Sequence, residues 1–210
     1  MRNILAFAVV AATCLSLHAQ TNTPVERPTF TKGDTWTYRV LDAWTDKELR
    51  QFQSEFAEAD GDNLVFRTTN KATNIVSTLR TNLDLNSCRT MQNSKEAFCN
   101  GPYKFPMSID QKSSYDKLPY SNGSGYFQAE CRVIGFEKVT VPAGTFDSYK
   151  IDCSGYWNNV FGSTANGSFS ETFWYAPSVK RNVKSYYENR NSNNRISAKE
   201  GTELIEYKVK

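Results

Sequence analysis

The fold is decided by the stretch Val139-Thr140-Val141-Pro142-Ala143-Gly144-Thr145-Phe146. The β-branched and aromatic residues at its two ends favour strands. Between them, Pro142 presets a turn backbone and Gly144 tolerates a positive φ. The stretch therefore predicts two antiparallel strands joined by a tight turn.

The cysteines on either side of this hairpin support the same pairing of strands. Cys131 and Cys153 lie equally far from Pro142, so a regular hairpin sets them opposite each other, near the ~5.5 Å Cα spacing that a disulfide needs. Three pairings are possible among the four cysteines after residue 19, and this one leaves Cys88 and Cys99 to close a small loop. We expect two disulfides, because an even number of cysteines is typical of disulfide bonding in exported chains.

Alternating polar and apolar residues predict further strands along the chain. From Thr35 onwards, Trp36, Tyr38 and Val40 share one face, which is the period of a half-buried strand. Short segments rich in β-branched or aromatic residues predict further strands at residues 64–69, 73–79, 168–175, 183–188 and 203–209.

Two other segments need interpretation. Residues 47–59 place Phe52 and Phe56 four apart, as a helix does, but these residues also alternate with polar ones, as in a strand. We interpret the segment as a strand, followed by a turn at residues 60–63 (Asp-Gly-Asp-Asn). Residues 100–125 contain three prolines and a serine- and glycine-rich run, and we expect them to form an irregular loop.

These segments predict an all-β protein, a single antiparallel, strongly curled sheet with little helix, as a half-barrel, a barrel or a sandwich. The length of 210 residues and the 13% of aromatic residues exclude a collagen-like, coiled-coil or wholly disordered chain. We expect one β-rich domain at residues 32–210, preceded by an extended leader at residues 20–31.

Residues 1–19 have the three parts of a secretory signal peptide: the positive charge of Arg2, an apolar run at residues 4–17, and a small residue at Ala19. An apolar run of ~14 residues is shorter than the ~20 that a membrane-spanning helix needs. We therefore expect export to the periplasm, or secretion, with no transmembrane segment in the mature chain. Cys14 leaves lipidation open as an alternative.

The composition excludes several classes of function. Signal cleavage removes His18, the only histidine, and with it Ser-His-Asp and Cys-His catalysis and histidine metal sites. The 25 basic and 22 acidic residues are interspersed, so no basic block indicates a nucleic-acid partner. We expect no cofactor and no metal; calcium at Glu58, Asp60, Asp62 and Asn63 is an alternative that an Asp-Gly turn explains equally well.

A pair of carboxylates is the remaining enzymatic alternative, since β-sandwich glycosidases need only two acids, ~5 Å apart or wider. Glu171 shares the face of Phe169 and Phe173, and a buried carboxylate needs a partner or has a raised pKa. The candidate acids in predicted strands are Glu130, Glu137, Asp152, Glu171 and Glu206.

The aromatic residues, with four tryptophans and eleven tyrosines, favour a non-catalytic binding protein. The concave face of a curled sheet is either filled by such side chains or left as a cleft that they line. Exposed rings can stack on sugars or lipid chains, so we expect a small hydrophobic or glycan ligand, or else an envelope protein as partner. The candidate binding residues are Trp36, Tyr38, Trp157, Trp174 and Tyr186.

Three stretches carry a resemblance to a known group: residues 33–38 (Gly-Asp-Thr-Trp-Thr-Tyr), residues 139–151, which include the hairpin turn, and residues 173–180, which include Phe-Trp-Tyr-Ala-Pro. They resemble uncharacterised exported β-rich proteins of Gram-negative bacteria, the TapB-like and related groups of unknown function. The distant similarity of these groups to the half-barrels that carry lipoproteins across the periplasm implies a curved sheet with a hydrophobic concave face. Together with the aromatic residues, this leads us to expect a non-catalytic role in binding or envelope assembly, with a structural role through contacts with another envelope protein as an alternative.

Overall fold

The computed structural model describes residues 23–90, 97–119, 124–159 and 165–210, without the side chains of residues 116–118. Within these ranges the chain forms one 12-stranded antiparallel sheet. The strands are β1 (Thr35–Asp42), β2 (Glu48–Asp60), β3 (Asn63–Asn70), β4 (Val76–Asn82), β5 (Ser87–Thr90), β6 (Ala97–Asn100), β7 (Lys112–Pro119), β8 (Gly125–Val141), β9 (Gly144–Asn159), β10 (Ala165–Ala176), β11 (Arg181–Asn191) and β12 (Ile196–Lys208). A single 3₁₀ turn, Pro177–Val179, separates β10 from β11.

The sheet is built outward from β1 in two arms. One arm runs from β2 to β6, and the other begins with β12 beside β1 and continues through β11, β10, β9 and β8 to β7. The edge strands β6 and β7 are therefore consecutive in the chain, and they lie in contact. Because twelve twisted strands curl, the sheet becomes a nearly closed barrel, which confirms the predicted all-β, curled antiparallel class.

The region around β1 belongs to the buried core. Trp36 is fully buried, and its indole N–H donates to the carbonyl of Val179 at 2.8 Å. In the leader at residues 20–31, the ring of Phe30 packs against Trp36, Phe56 and Phe66, with centroids 5.3–5.8 Å apart. The N-terminal segment thus covers one end of the core.

The long hairpin of β8 and β9 holds one extra residue. Gly135 faces Lys150, and the next pair away from the turn is Val133 with Ile151. Ile134 lies between them without a partner, so it forms a β-bulge.

This bulge decides which residue faces Cys131. The turn is centred between Pro142 and Ala143, so an unbroken ladder would place Cys131 opposite Ser154. The extra residue shifts the register by one and sets Cys131 opposite Cys153. Both expected disulfides are formed, Cys131–Cys153 and Cys88–Cys99.

Residues 47–59 are a strand, as interpreted from the sequence. They form most of β2, and Asp60 faces Asn63 across a two-residue turn in which Gly61 has a φ of +60°. The helix-like spacing of Phe52 and Phe56 is compatible with a strand because residues four apart also share one face of a sheet.

The prediction of an irregular loop at residues 100–125 is wrong for part of its length. Lys112–Pro119 is strand β7, and Tyr115 on it is buried. The many polar residues of β7 conceal its alternation, and Pro119 ends an edge strand, where a missing N–H costs no ladder bond. Residues 101–111 lack a regular strand, but Phe105 and Met107 are buried, so this segment enters the barrel.

Several sequence predictions fall outside the described residues. These are the signal peptide at residues 1–19 with Cys14, the start of the leader at residues 20–22, and the serine- and glycine-containing residues 121–123. Among the residues that are described, no helix is long and apolar enough to cross a membrane.

Candidate functional site

The interior of the barrel is not completely filled by side chains. One cavity of about 290 Å³, here the Glu171 cavity, is lined by residues that include Leu85, Tyr103, Tyr115, Phe127, Glu171 and Phe173. A second cavity of about 260 Å³, here the Arg181 cavity, is lined by residues that include Tyr38, Phe52, Leu85, Tyr103, Arg181 and Asn182. Because Leu85 and Tyr103 line both, the two cavities adjoin.

The wall shared by the two cavities comes from two loops. Leu85 lies in the turn between β4 and β5 with a φ of +66°, an uncommon conformation for a residue other than glycine. Its N–H donates to the carbonyl of Asn82 at 3.0 Å, and the side chain of Asn82 accepts from the N–H of Asn86 at 3.0 Å. These bonds hold the leucine in place against the cavities.

Asn86 then ties this turn to the segment that enters the barrel. Its side-chain amide donates to the carbonyl of Tyr103 at 2.8 Å and accepts from the N–H of Tyr103 at 3.0 Å. The approach is so close that a Cβ on Gly101 would lie 2.5 Å from Oδ1 of Asn86. A glycine is therefore required beside this contact, and Tyr103 is fixed between the cavities.

Glu171 points into its cavity from β10, as its shared face with Phe169 and Phe173 predicts. Burial raises the pKa of Glu171 to about 7. Burial also raises the pKa of the nearby Tyr115 hydroxyl, and the charge of Glu171 adds to this shift. Among the described residues that line the Glu171 cavity, there is no second carboxylate.

Of the candidate acids from the sequence, only Glu130 and Asp152 line a common groove, and none of the others joins Glu171 in its cavity. Glu206 is exposed on the outer face, and Glu137 accepts a hydrogen bond from the indole of Trp174 at 2.6 Å. Glu130 and Asp152 line a groove on the outside of the sheet, where Asp152 accepts from Thr172 at 2.8 Å. In the described part of the chain, a two-carboxylate mechanism therefore finds no partner for Glu171.

Arg181 places a positive charge inside the barrel among aromatic rings. Its guanidinium carbon lies 4.5 Å from the ring centre of Phe66 and 5.4 Å from that of Trp36. Such cation–π contacts compensate part of the cost of removing the charge from water. In the structure as described, the Nη1 atom of Arg181 is buried with no hydrogen-bond partner, and so is Oδ1 of Asn182.

Three tyrosines surround this charge. Burial raises the pKa of the hydroxyls of Tyr38, Tyr103 and Tyr175 above the usual 10, and the positive charge of Arg181 opposes this shift in each case. The phenols are therefore neutral at physiological pH and provide Arg181 with hydroxyl groups but no counter-ion.

The five candidate binding residues do not form one site. Tyr38 lines the Arg181 cavity, whereas Trp36 is in the closed core. Trp157 lines a shallow cleft of about 330 Å³, and its indole donates to Asn189. Two of the five lie on the outer face, away from the concave side: Trp174, over which Lys150 and Lys184 lie, and Tyr186, which is bonded to Lys199.

The calcium alternative is not supported by the geometry of its turn. Asp60 forms an ion pair with Arg80 at 2.8 Å. No cluster of three or more potential metal ligands occurs in the described residues.

Sequence reasoning missed Arg181, Leu85 and Tyr103. Alternation gives no clear signal for Arg181, because Val183 bulges out of the ladder between Asn182 and Lys184. For Leu85 and Tyr103 there was no periodic signal, because both lie in loops.

Comparisons with known proteins agree with this fold. The chain is similar to a crystal structure described as a "putative lipoprotein" from Parabacteroides distasonis, with a TM-score of 0.51 and 17% identity over 88% of this chain and 97% of that one. It is also similar to a crystal structure from Bacteroides fragilis described as a "putative exported protein" with a YmcC-like fold, with a TM-score of 0.48 and 16% identity over 89% and 100% of the two chains. No protein-family model and no curated protein sequence matches the chain. At these identities the likeness is one of fold.

Proposed function

We propose that this chain is an exported, non-catalytic binding protein that holds a small ligand with an apolar body inside its curled sheet. The observation that carries the proposal is the unfilled interior. Protein cores are packed densely, and voids larger than a water molecule are few. Here two adjoining cavities of about 290 and 260 Å³, both partly open to solvent, lie on the concave side of the sheet.

The lining of the cavities supports a ligand site. Ligand pockets are mostly apolar, contain a few convergent polar groups, and span roughly 300–1,000 Å³, a range that the two cavities reach only together. Their aromatic and aliphatic walls include one carboxyl, on Glu171, and three cationic side chains, on Arg89, Arg181 and Lys184. Such a lining favours a ligand that is largely apolar with a polar end.

A location in the cell envelope is part of the proposal. It is supported by the signal-peptide pattern of residues 1–19 and by the description of the Parabacteroides protein of similar fold as a lipoprotein. Two disulfides are also typical of an oxidising compartment such as the periplasm. An envelope protein that delivers or receives the ligand is a compatible partner.

Binding of the neutral fluorescent probe N-phenyl-1-naphthylamine tests the proposal. We expect the probe to gain fluorescence on binding the parent protein and to lose most of this gain in Ser185→Trp, because Ser185 lines the Arg181 cavity and a larger side chain there fills it. Thr78→Trp, at an exposed position on β4, is the matched control and should bind as the parent does. No binding by the parent, or equal binding by folded Ser185→Trp, would overturn the proposal.

A further inference from the structure

Arg181 has no acidic partner among the described residues, unlike three neighbouring cations. Lys184 forms an ion pair with Glu203 at 3.2 Å, and Arg39 pairs with the same carboxylate at 2.7 Å. Lys180 pairs with the buried Asp34 at 3.1 Å. The Arg181 guanidinium has only aromatic faces and neutral phenols around it.

Arg181 is partly buried, and a charge withdrawn from water without a counter-ion is costly unless other contacts compensate it. Stacking on Phe66 and Trp36 covers the faces of the guanidinium, but hydrogen bonds are made at its edge. At that edge the buried Nη1 atom is a donor without an acceptor in the described structure. The site therefore lacks a negatively charged group with acceptor atoms.

We propose that the ligand carries an acidic group, a carboxylate or a phosphate monoester, which binds the guanidinium of Arg181 in the Arg181 cavity. This inference rests on the proposed function and names the ligand class. Planar carboxylates and phosphates match the fork of donors on arginine. The hydroxyls of Ser185 and Thr202, which also line this cavity, add donors of the kind that such an anion accepts.

The rest of the ligand follows from the adjoining cavity. Beyond Leu85 and Tyr103, the wall of the Glu171 cavity is formed largely by apolar and aromatic side chains, including Phe98, Phe127 and Phe173. A hydrocarbon chain attached to the acidic group would extend there. The ligand class is thus an acidic amphiphile, such as a fatty acid or an alkyl phosphate.

Competition between matched amphiphiles tests this class. Decanoate, decanol and decyl phosphate share one alkyl chain and would each be titrated at pH 8 against bound N-phenyl-1-naphthylamine. We expect at least one of the two acids to bind about tenfold or more tightly than decanol, the effect of one charge-assisted hydrogen bond. The tighter of the two acids identifies the headgroup as carboxylate or phosphate.

Two variants locate the preference for the acid. Arg181→Met should bind decanol as the parent does but lose the tenfold preference, whereas Arg39→Met should keep it because Arg39 is paired with Glu203 and lines neither cavity. If the parent binds decanol as tightly as both acids, or if folded Arg181→Met keeps the preference, the inference fails while the proposed function stands. If no amphiphile and no probe binds, the proposed function itself fails. The ratio measured on the parent decides the question even if Arg181→Met does not fold.

Discussion

Two side chains, Glu171 and Arg181, give the interior of this protein its chemical character. Each lines a different cavity, and neither has an ion-pair partner among the described residues. Glu171 avoids the cost of burial by holding its proton, since its pKa is raised to about 7. Arginine has no such option because its pKa is above about 12. Below about pH 7, Arg181 therefore stays charged while Glu171 is mostly neutral.

The raised pKa of Glu171 predicts a specific dependence of stability on pH. Its folded pKa of about 7 exceeds the unfolded value of 4.5, so the folded state binds more protons between these pH values. The contribution of this group to stability is therefore lost as the pH rises from about 4.5 to about 7, by roughly 3 kcal/mol in all. In urea unfolding, Glu171→Gln should match the parent near pH 4 and exceed its free energy of unfolding by about that amount at pH 8.

The control for this measurement is Glu206→Gln, at an exposed outer position. It keeps Glu171 and should therefore keep the decline of stability with pH. A parent and a Glu171→Gln variant that show parallel profiles from pH 4 to pH 8 would contradict the assignment.

At the residue scale, the sequence predicted the inward position of Glu171 but not that of Arg181. Glu171 was found because it alternates with Phe169 and Phe173 in a clear strand pattern. Arg181 follows a proline-initiated turn, where the pattern restarts, so its inward position was not recognised. Of the candidate aromatic residues, only Tyr38 lines either interior cavity, because alternation predicts which residues share a face but does not distinguish a filled region from a hollow one.

At the scale of the strands, the β8–β9 hairpin shows how one residue sets a register. Ile134 bulges out of the ladder. Without this bulge, every residue of β8 from Val133 back to the start of the strand would pair one position further along β9, with a residue of the opposite face. The sequence predicted the pairing of Cys131 with Cys153 from equal distances to Pro142. That estimate placed the turn half a residue from its true centre, and the unforeseen bulge compensated for the difference.

Two single-residue deletions test this interpretation of the hairpin. Deletion of Ile134 removes the unpaired residue and leaves a regular ladder in which Cys131 still faces Cys153, so the disulfide should persist. Deletion of Arg132 should instead move Cys131 opposite Asp152 and onto the outer face, so the native disulfide should be lost. Mass mapping of non-reduced digests distinguishes these results, and equal loss of the link in both deletions would contradict the register.

The strands that the sequence missed share a physical cause. β5 and β6 have only four residues each, too few to establish a period, and β7 is largely polar at the edge of the sheet. Longer strands with one buried face, such as β1, β2 and β10, were predicted because burial imposes the alternation that the sequence displays.

At the scale of the whole molecule, the curled sheet and its contents define the protein more than any single motif does. The class of fold was predictable from the number of strands and their turns. The sequence did not predict whether side chains fill the concave side. The filling depends on how the edge strands meet and on the segment of residues 101–111 that enters the barrel. That segment supplies Tyr103, which lies between the two cavities.

The central claim is that the inside of the barrel is a ligand site. It is tested most directly by a crystal structure of the protein with 10-bromodecanoate, in which anomalous scattering locates the bromine. We predict a bromine peak in the Glu171 cavity, beside Leu85 and Phe173, with the carboxylate at Arg181. A bromine peak on the outer surface alone, or cavities that hold only water in the presence of saturating probe, would contradict the account.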